Sequence, residues 1–249
     1  MTKTKLETFI RKYTLGGLNS EVRWAASKGV LKMVEITSDK KLMTAVDLNN
    51  FDAFDDAELV VTDTSELKGM LAPLSDNITI KLEKGSEEDS KRIVSMNLVD
   101  SELEQIYKTG DAEHLPSKPK LISIPNYDVE IKLNEDFITR FSKAKSALPD
   151  VKNFTLIMNP KKKKLEMVLG YSSNNNTHRS ILNLNCVEGK DTLETPTSFS
   201  ADVLKEILVA NSEVKEAVFK VSEQGLAHIE FVSDDFISKY YLIKIPVEE

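Results

Sequence analysis

The chain is written twice. ETFIRKYT (7–14) reads like EDFITRFS (135–142), VLKMVEI (30–36) like KLEMVLG (164–170), and ELKGMLAPLSDNITIKLEKG (66–85) like VLKEILVANSEVKEAVFKVSEQG (203–225), with Leu67-Lys68 falling on Leu204-Lys205. The likeness extends to the order of elements: each half runs helix, strands, helix, strands, so whatever the first half builds the second half builds again. Alternation of apolar and polar residues in NITIKL, RIVSMNL, DVEIKL, AVFKVS, AHIEFV and YYLIKI predicts half-buried antiparallel strands. Four segments carry helical periodicity instead, with Leu6, Phe9, Ile10 and Tyr13 on one face of the first and Leu67, Met70, Leu71 and Leu74 on the second. The third, FITRFSKAKSALP (137–149), aligns Phe137, Ile138, Phe141, Ala144 and Leu148 behind Glu135 and Asp136 at its amino end; the fourth aligns Val203, Leu204, Ile207 and Leu208 behind a Ser200 cap.

This pattern predicts an α+β chain of two similar domains, and 249 residues suffice to bury a core in each. Between the halves HLPSKPKLISIPNY (114–127) holds three of the eight prolines. Proline favours extended backbone and removes a ladder donor, which marks an exposed connector over 115–127 joining a domain at 1–114 to one at 128–249. Its Leu121, Ile122 and Ile124 are apolar for a linker and require a surface to lie against.

The charge distribution poses a question. The formal net charge is -7, with 40 acids against 33 Lys plus Arg, yet 137–149 contains Arg140, Lys143 and Lys145 and no carboxylate. At 100° per residue, Thr139, Ser142, Lys143 and Ser146 lie opposite the apolar centre with Arg140 beside them, and Lys145 sits nearer the apolar edge, where it can snorkel. In the first helix Thr4, Thr8 and Arg11 face away from the core, flanked by Lys5 and Lys12; Lys68 and Lys205 hold matching places on the other two. A charged solvent face is ordinary for an amphipathic helix, and Glu7, Glu66 and Glu206 dilute the pattern, but the repeat of the feature in both halves sets it apart. Cations and small hydroxyls without stacking aromatics suit the backbone of duplex DNA, held without sequence readout.

The two-fold repeat, the connector LPSKPKLISIPNYDVEIKLNEDFITRFSKAK, the helix FSADVLKEILVAN and the ending KYYLIKI resemble the DNA sliding clamps, the polymerase processivity factors, and among them those of tailed bacteriophages. In KYYLIKI, Ile243 and Lys244 replace the small residue and proline of cellular clamps. The resemblance implies a homotrimeric ring of six similar domains, sheets outside and helices lining a hole around double-stranded DNA. It assigns Lys5, Arg11, Lys12, Lys68, Arg140, Lys143, Lys145 and Lys205 to the DNA-facing surface, while the acidic exterior discourages binding elsewhere. It also implies a groove beside the connector for tails of DNA polymerase and of a clamp loader ATPase, built from Leu42, Ile122, Ile124, Tyr241 and Ile243. Strand alternation offers Tyr241 and Ile243 an equally good place in a core. The chain has no GxxxxGK[ST] loop of its own, so loading falls to the ATPase.

No cofactor and no metal are expected: His114, His178 and His228 are far apart and share no ligand spacing with Cys186. Neither GxSxG nor HExxH occurs, so no catalytic residue is assigned. Asp55-Asp56 and Glu87-Glu88-Asp89 read as solvated turns, Lys161–Lys164 as a hairpin turn or a DNA-touching loop, and Trp24 and Cys186 as packed. With no apolar run of signal-peptide or membrane-spanning length, a cytoplasmic protein is expected, in a bacterial host if phage-encoded. Two rival functions stay open: an enzyme on a duplicated α+β scaffold with a dispersed site, and a monomeric processivity protein with an open DNA-binding face.

Overall fold

The computed structural model describes residues 1–86, 92–111, 113, 119, 124–159, 161–172 and 178–247. The chain forms two compact units: Met1–Thr37 with Met43–Lys120 and Ser233–Ser238, and Ser38–Leu42 with Leu121–Val232 and Lys239–Glu249. The division is therefore not the single cut that a linear reading suggests; most of the connector assigned to 115–127, Ile122 included, lies outside the described residues.

The first unit opens with α1 (Lys3–Thr14), followed by β1 (Val22–Ser27), β2 (Val30–Ile36), β3 (Leu42–Asn49), β4 (Ala57–Val61), α2 (Thr64–Leu71), β5 (Thr79–Lys84), β6 (Ile93–Val99) and β7 (Glu104–Lys108). Two antiparallel sheets result, ordered β3-β2-β1-β4 and β5-β6-β7. Strict alternation sets their inner faces: Val22, Trp24 and Ala26 of β1 are buried, as are Val46 and Leu48 of β3. Helix α1 begins where the Thr2 hydroxyl accepts from the Lys5 amide at 3.3 Å, and ends where Leu15 and Gly16 turn left-handed at φ 46° and 67°. Its apolar stripe sends Phe9 and Tyr13 edge-on into Trp24, at 5.6 and 6.3 Å between ring centres, so the tryptophan is core.

The second unit repeats the plan with β8 (Val129–Asn134), α3 (Glu135–Ala147), β9 (Asn153–Asn159), β10 (Lys164–Leu169), β11 (Ser180–Asn183), β12 (Cys186–Asp191), β13 (Thr197–Ser200), α4 (Ala201–Ala210), β14 (Glu216–Val221), β15 (Leu226–Val232) and β16 (Phe236–Ile243), the last contributing Lys239–Ile243. Its sheets run β11-β10-β9-β13 and β12-β8-β14-β15-β16. The order β11-β10-β9-β13 repeats β3-β2-β1-β4, and β14-β15-β16 repeats β5-β6-β7, so the duplication read in the letters is also a duplication of topology. Helix α3 starts two residues before the expected 137, because the Asn134 side chain accepts from the Phe137 amide at 2.9 Å; Ser200 caps α4 through the Val203 amide as expected. Lys161–Lys163 make the turn and Lys164 begins β10, the Asn159 side chain accepting the amides of Lys161 and Lys162.

Phe154 stands at the centre of the second core, with Phe141, Phe219 and Phe199 at 6.2, 6.1 and 5.8 Å between ring centres. Phe154→Ala should cost about 3–5 kcal/mol, a large part of the stability of a single domain, because the rings around it are fixed by α3, β13 and β14 and cannot collapse. Denaturant titration checks this: a loss below about 1 kcal/mol would show that the cluster does not hold the unit together.

Candidate functional site

Each unit packs a pair of helices together, and a cation fastens each pair. In the first, the Lys3 ammonium donates to carbonyls following α2, and Asp76 accepts from both the amide and hydroxyl of Thr4, at 3.0 and 2.6 Å. Those hydrogen bonds from Thr4 hold the Asp76 carboxyl below its ordinary range. In the second, the Lys145 ammonium reaches Asp202 of α4 at 2.8 Å and donates to the Pro149 carbonyl at 2.9 Å.

That contact corrects the sequence reading. Lys145 is buried at i+4 from Phe141, on the core side of α3, where it ties helix to helix instead of meeting solvent. Lys12 is likewise only 1% exposed; its ammonium lies 5.3 Å from the centre of the Phe236 ring. Neither presents its charge outward. A cation written into a helix face at the rim of the apolar stripe has a long enough stem to turn inward when an acid or ring waits there.

The remaining cations do face solvent. Arg11, Lys68, Arg140 and Lys143 are exposed and Lys205 is half-exposed; Lys68, Lys143 and Lys205 have no ion pair among the described residues. Arg140 meets Asp136 one turn back at 2.9 Å, but both groups are about 70% exposed, and such pairs hold by roughly 0.5 kcal/mol or less. An arriving phosphate can displace Asp136. Lys5 is less free, because Asp235 binds it at 3.0 Å, and that hydrogen bond lowers the Asp235 carboxyl.

The groove residues all fall in the second unit, and the structure sorts them. Ile124 and Ile243 are 53% and 45% exposed, whereas Tyr241 and Leu42 are buried. Leu42, at 2% exposed, therefore offers no surface to a partner. The exposed Ile243 donates its backbone N–H to the Lys41 carbonyl at 2.9 Å, which fixes the Ser38–Leu42 segment beside the end of β16. Two residues that the sequence reading did not assign to the groove stack with Tyr241. His228 lies between Tyr127 and Tyr241, ring centres at 6.0 and 4.5 Å and planes tilted by 22° and 14°, a three-ring stack three residues beyond Ile124. The alternation in AHIEFV contained the signal: it puts His228, Glu230 and Val232 on the side opposite the core residues Ala227, Ile229 and Phe231.

Burial raises the Tyr127 phenol to about 12 and lowers the His228 imidazole below its ordinary value. Since the folded chain resists the proton that the unfolded chain takes up near pH 6.5, stability is full above that value and declines as pH falls through it. Wild type should therefore lose more in thermal midpoint between pH 7 and pH 5 than His228→Phe, with a slope of at most about 1.4 kcal/mol per pH unit. Parallel pH profiles would exclude His228 as the source. Cys186 is half-buried, and burial, aided by Asp191, raises its thiol to about 11, so it stays protonated at neutral pH.

The fold these two units define is that of the PCNA-type sliding clamps. The chain superposes on A. fulgidus PCNA, solved with the C-terminal region of FEN-1 bound, with a TM-score of 0.74 at 15% identity, covering 100% of this chain and 98% of that one. Proliferating cellular nuclear antigen from Entamoeba histolytica matches with a TM-score of 0.68 at 13% identity over 96% of both chains. A chain of the PCNA2–PCNA3 complex from Sulfolobus tokodaii gives 0.67 at 12% identity over 98% of this chain and 97% of that one. No protein-family model matches the chain, and no curated protein matches its sequence. What is shared is the course of the backbone along the whole chain. Among the described residues no helix is long and apolar enough to cross a membrane.

Proposed function

We propose that the protein is a non-enzymatic sliding clamp: a closed ring of three copies that encircles duplex DNA and tethers a DNA polymerase, placed on DNA by a separate clamp loader ATPase. The observation that carries this reading is the solvent-facing set Arg11, Lys68, Arg140, Lys143 and Lys205, drawn from all four helices of a chain whose net charge is -7. Phosphate contacts of this kind are independent of sequence and individually weak, so a ring holds by its topology while the contacts let it slide.

Two sheet edges support ring closure. Among the described residues strand β7 pairs only with β6, and β11 only with β10, and each bears an exposed isoleucine, Ile106 and Ile181. Unpaired edges with apolar side chains invite another strand. Because the two edges are different surfaces of one chain, joining β7 of one copy to β11 of the next is a head-to-tail contact, which closes into a ring when the rotation permits.

The groove of Ile124, Tyr127, Tyr241 and Ile243 serves as the docking place for partner tails, with PCNA bound to the C-terminal region of FEN-1 as the structural parallel. Native mass measurement with DNA retention tests the whole. A ring gives three times the 28.0 kDa chain mass, stays on a nicked circle and is lost when the circle is cut. A monomer that stays on linear DNA would favour the open-faced processivity protein instead.

A further inference from the structure

The rim of the groove carries charge that no acid among the described residues answers. Lys40, Lys41 and Lys244 are exposed, and their ammonium groups have no acidic partner among the described residues. The backbone brings all three to the end of β16. The Lys41 carbonyl accepts from the Ile243 amide at 2.9 Å, Lys40 precedes it at a left-handed φ of 58°, and Lys244 follows Ile243 with its stem laid against Gly225. Lys244 is held in place by its own backbone, its N–H donating to the Gly225 carbonyl at 2.8 Å. The other charges nearby are already used: Lys239 pairs with Glu230 at 3.2 Å, Lys220 meets Glu130 at 4.0 Å, and Asp39 accepts the Lys41 amide at 3.1 Å.

We propose that the groove's occupant is a short partner segment whose aliphatic or aromatic anchors are followed by two or three acidic side chains, the anchors lying on Ile124 and Ile243 and the acids on Lys40, Lys41 and Lys244. The inference rests on the groove being the partner site, and it adds the partner's chemistry. Three cations spread over two backbone segments need more than one carboxylate, which favours acidic side chains over a terminal carboxylate. In a protein with an excess of acids, a cationic rim also admits segments that the rest of the exterior repels, so it contributes to selection as well as to affinity.

Peptide display decides this. A library of 16-residue peptides is selected at 0.1 M salt on the wild-type protein and on Lys40→Glu/Lys41→Glu/Lys244→Glu, keeping only peptides that Ile243→Asp rejects; circular dichroism and native mass verify both variants. Wild type should select apolar anchors followed by Asp or Glu. The triple variant should bind those peptides at least tenfold more weakly and select neutral or basic ones. The difference should shrink toward 1 M salt, where the screening length falls from about 10 Å to about 3 Å. Peptides with no acidic preference, bound equally by both proteins, would overturn the inference and leave the groove reading standing. Finding no peptide that depends on Ile243 would overturn both.

Discussion

In the proposed three-copy ring, Ile181→Asp should leave a folded 28.0 kDa monomer in place of a mass three times larger. Ile181 sits on the free edge of β11, 47% exposed, so the substitution removes little from the isolated chain and its own fold should change by less than about 0.5 kcal/mol. In the proposed ring the β7 edge of the next copy would cover the same side chain. An uncompensated carboxylate there costs about 3–5 kcal/mol at every junction, or roughly two to four orders of magnitude in each association constant. Ile106→Asp, on the complementary edge, should act alike. Pairing Ile106→Lys with Ile181→Asp in one chain should recover part of the assembly, since each junction then joins opposite charges. Sedimentation velocity reads all of these, and an unchanged mass for both single variants would place the junction elsewhere.

Arg140→Glu with Lys143→Glu should lower the length of DNA synthesised per binding event by about tenfold or more while leaving the assembled mass unchanged. Both side chains are exposed on α3, and the only ion pair among the described residues for either is the weak one to Asp136. The fold therefore loses almost nothing, whereas each chain turns two attractive charges repulsive toward phosphate. The effect should depend on salt, because counterion release sets the strength of such contacts. Lys145→Ala is the informative contrast. It breaks the buried contact to Asp202 and the Pro149 carbonyl, so it should destabilise the second unit by about 1–3 kcal/mol without changing the salt dependence of DNA retention. Unaltered synthesis with the double reversal would remove α3 from the DNA-facing surface.

The helix-binding cations show how far periodicity reaches. Spacing alone placed Lys143 outside and Phe141 inside, and both positions hold, because the 3.6-residue period dictates which side of a helix a residue leaves from. Lys12 and Lys145 sit at the edge of the stripe, where the period is silent. Whether such a stem turns outward depends on what the fold brings near: Phe236 from a distant strand for one, Asp202 from α4 for the other. The same limit explains the groove. Ile124 and Ile243 were legible as apolar residues near a proline-rich stretch and a chain end, but the stacking of His228 between Tyr127 and Tyr241 brings a residue about 100 positions away onto two neighbouring strands.

By itself, the sequence determined the duplication, the helix and strand types and the core residues of each half, since these follow from local periodicity and from apolar burial, which act over a few residues at a time. The tertiary structure alone decided which edges stay unpaired, which lysines are withdrawn into ion pairs or onto rings, and which side chains stack beneath the groove. Those depend on through-space neighbours, and the distance between two groups in a folded chain is not written in their separation along it.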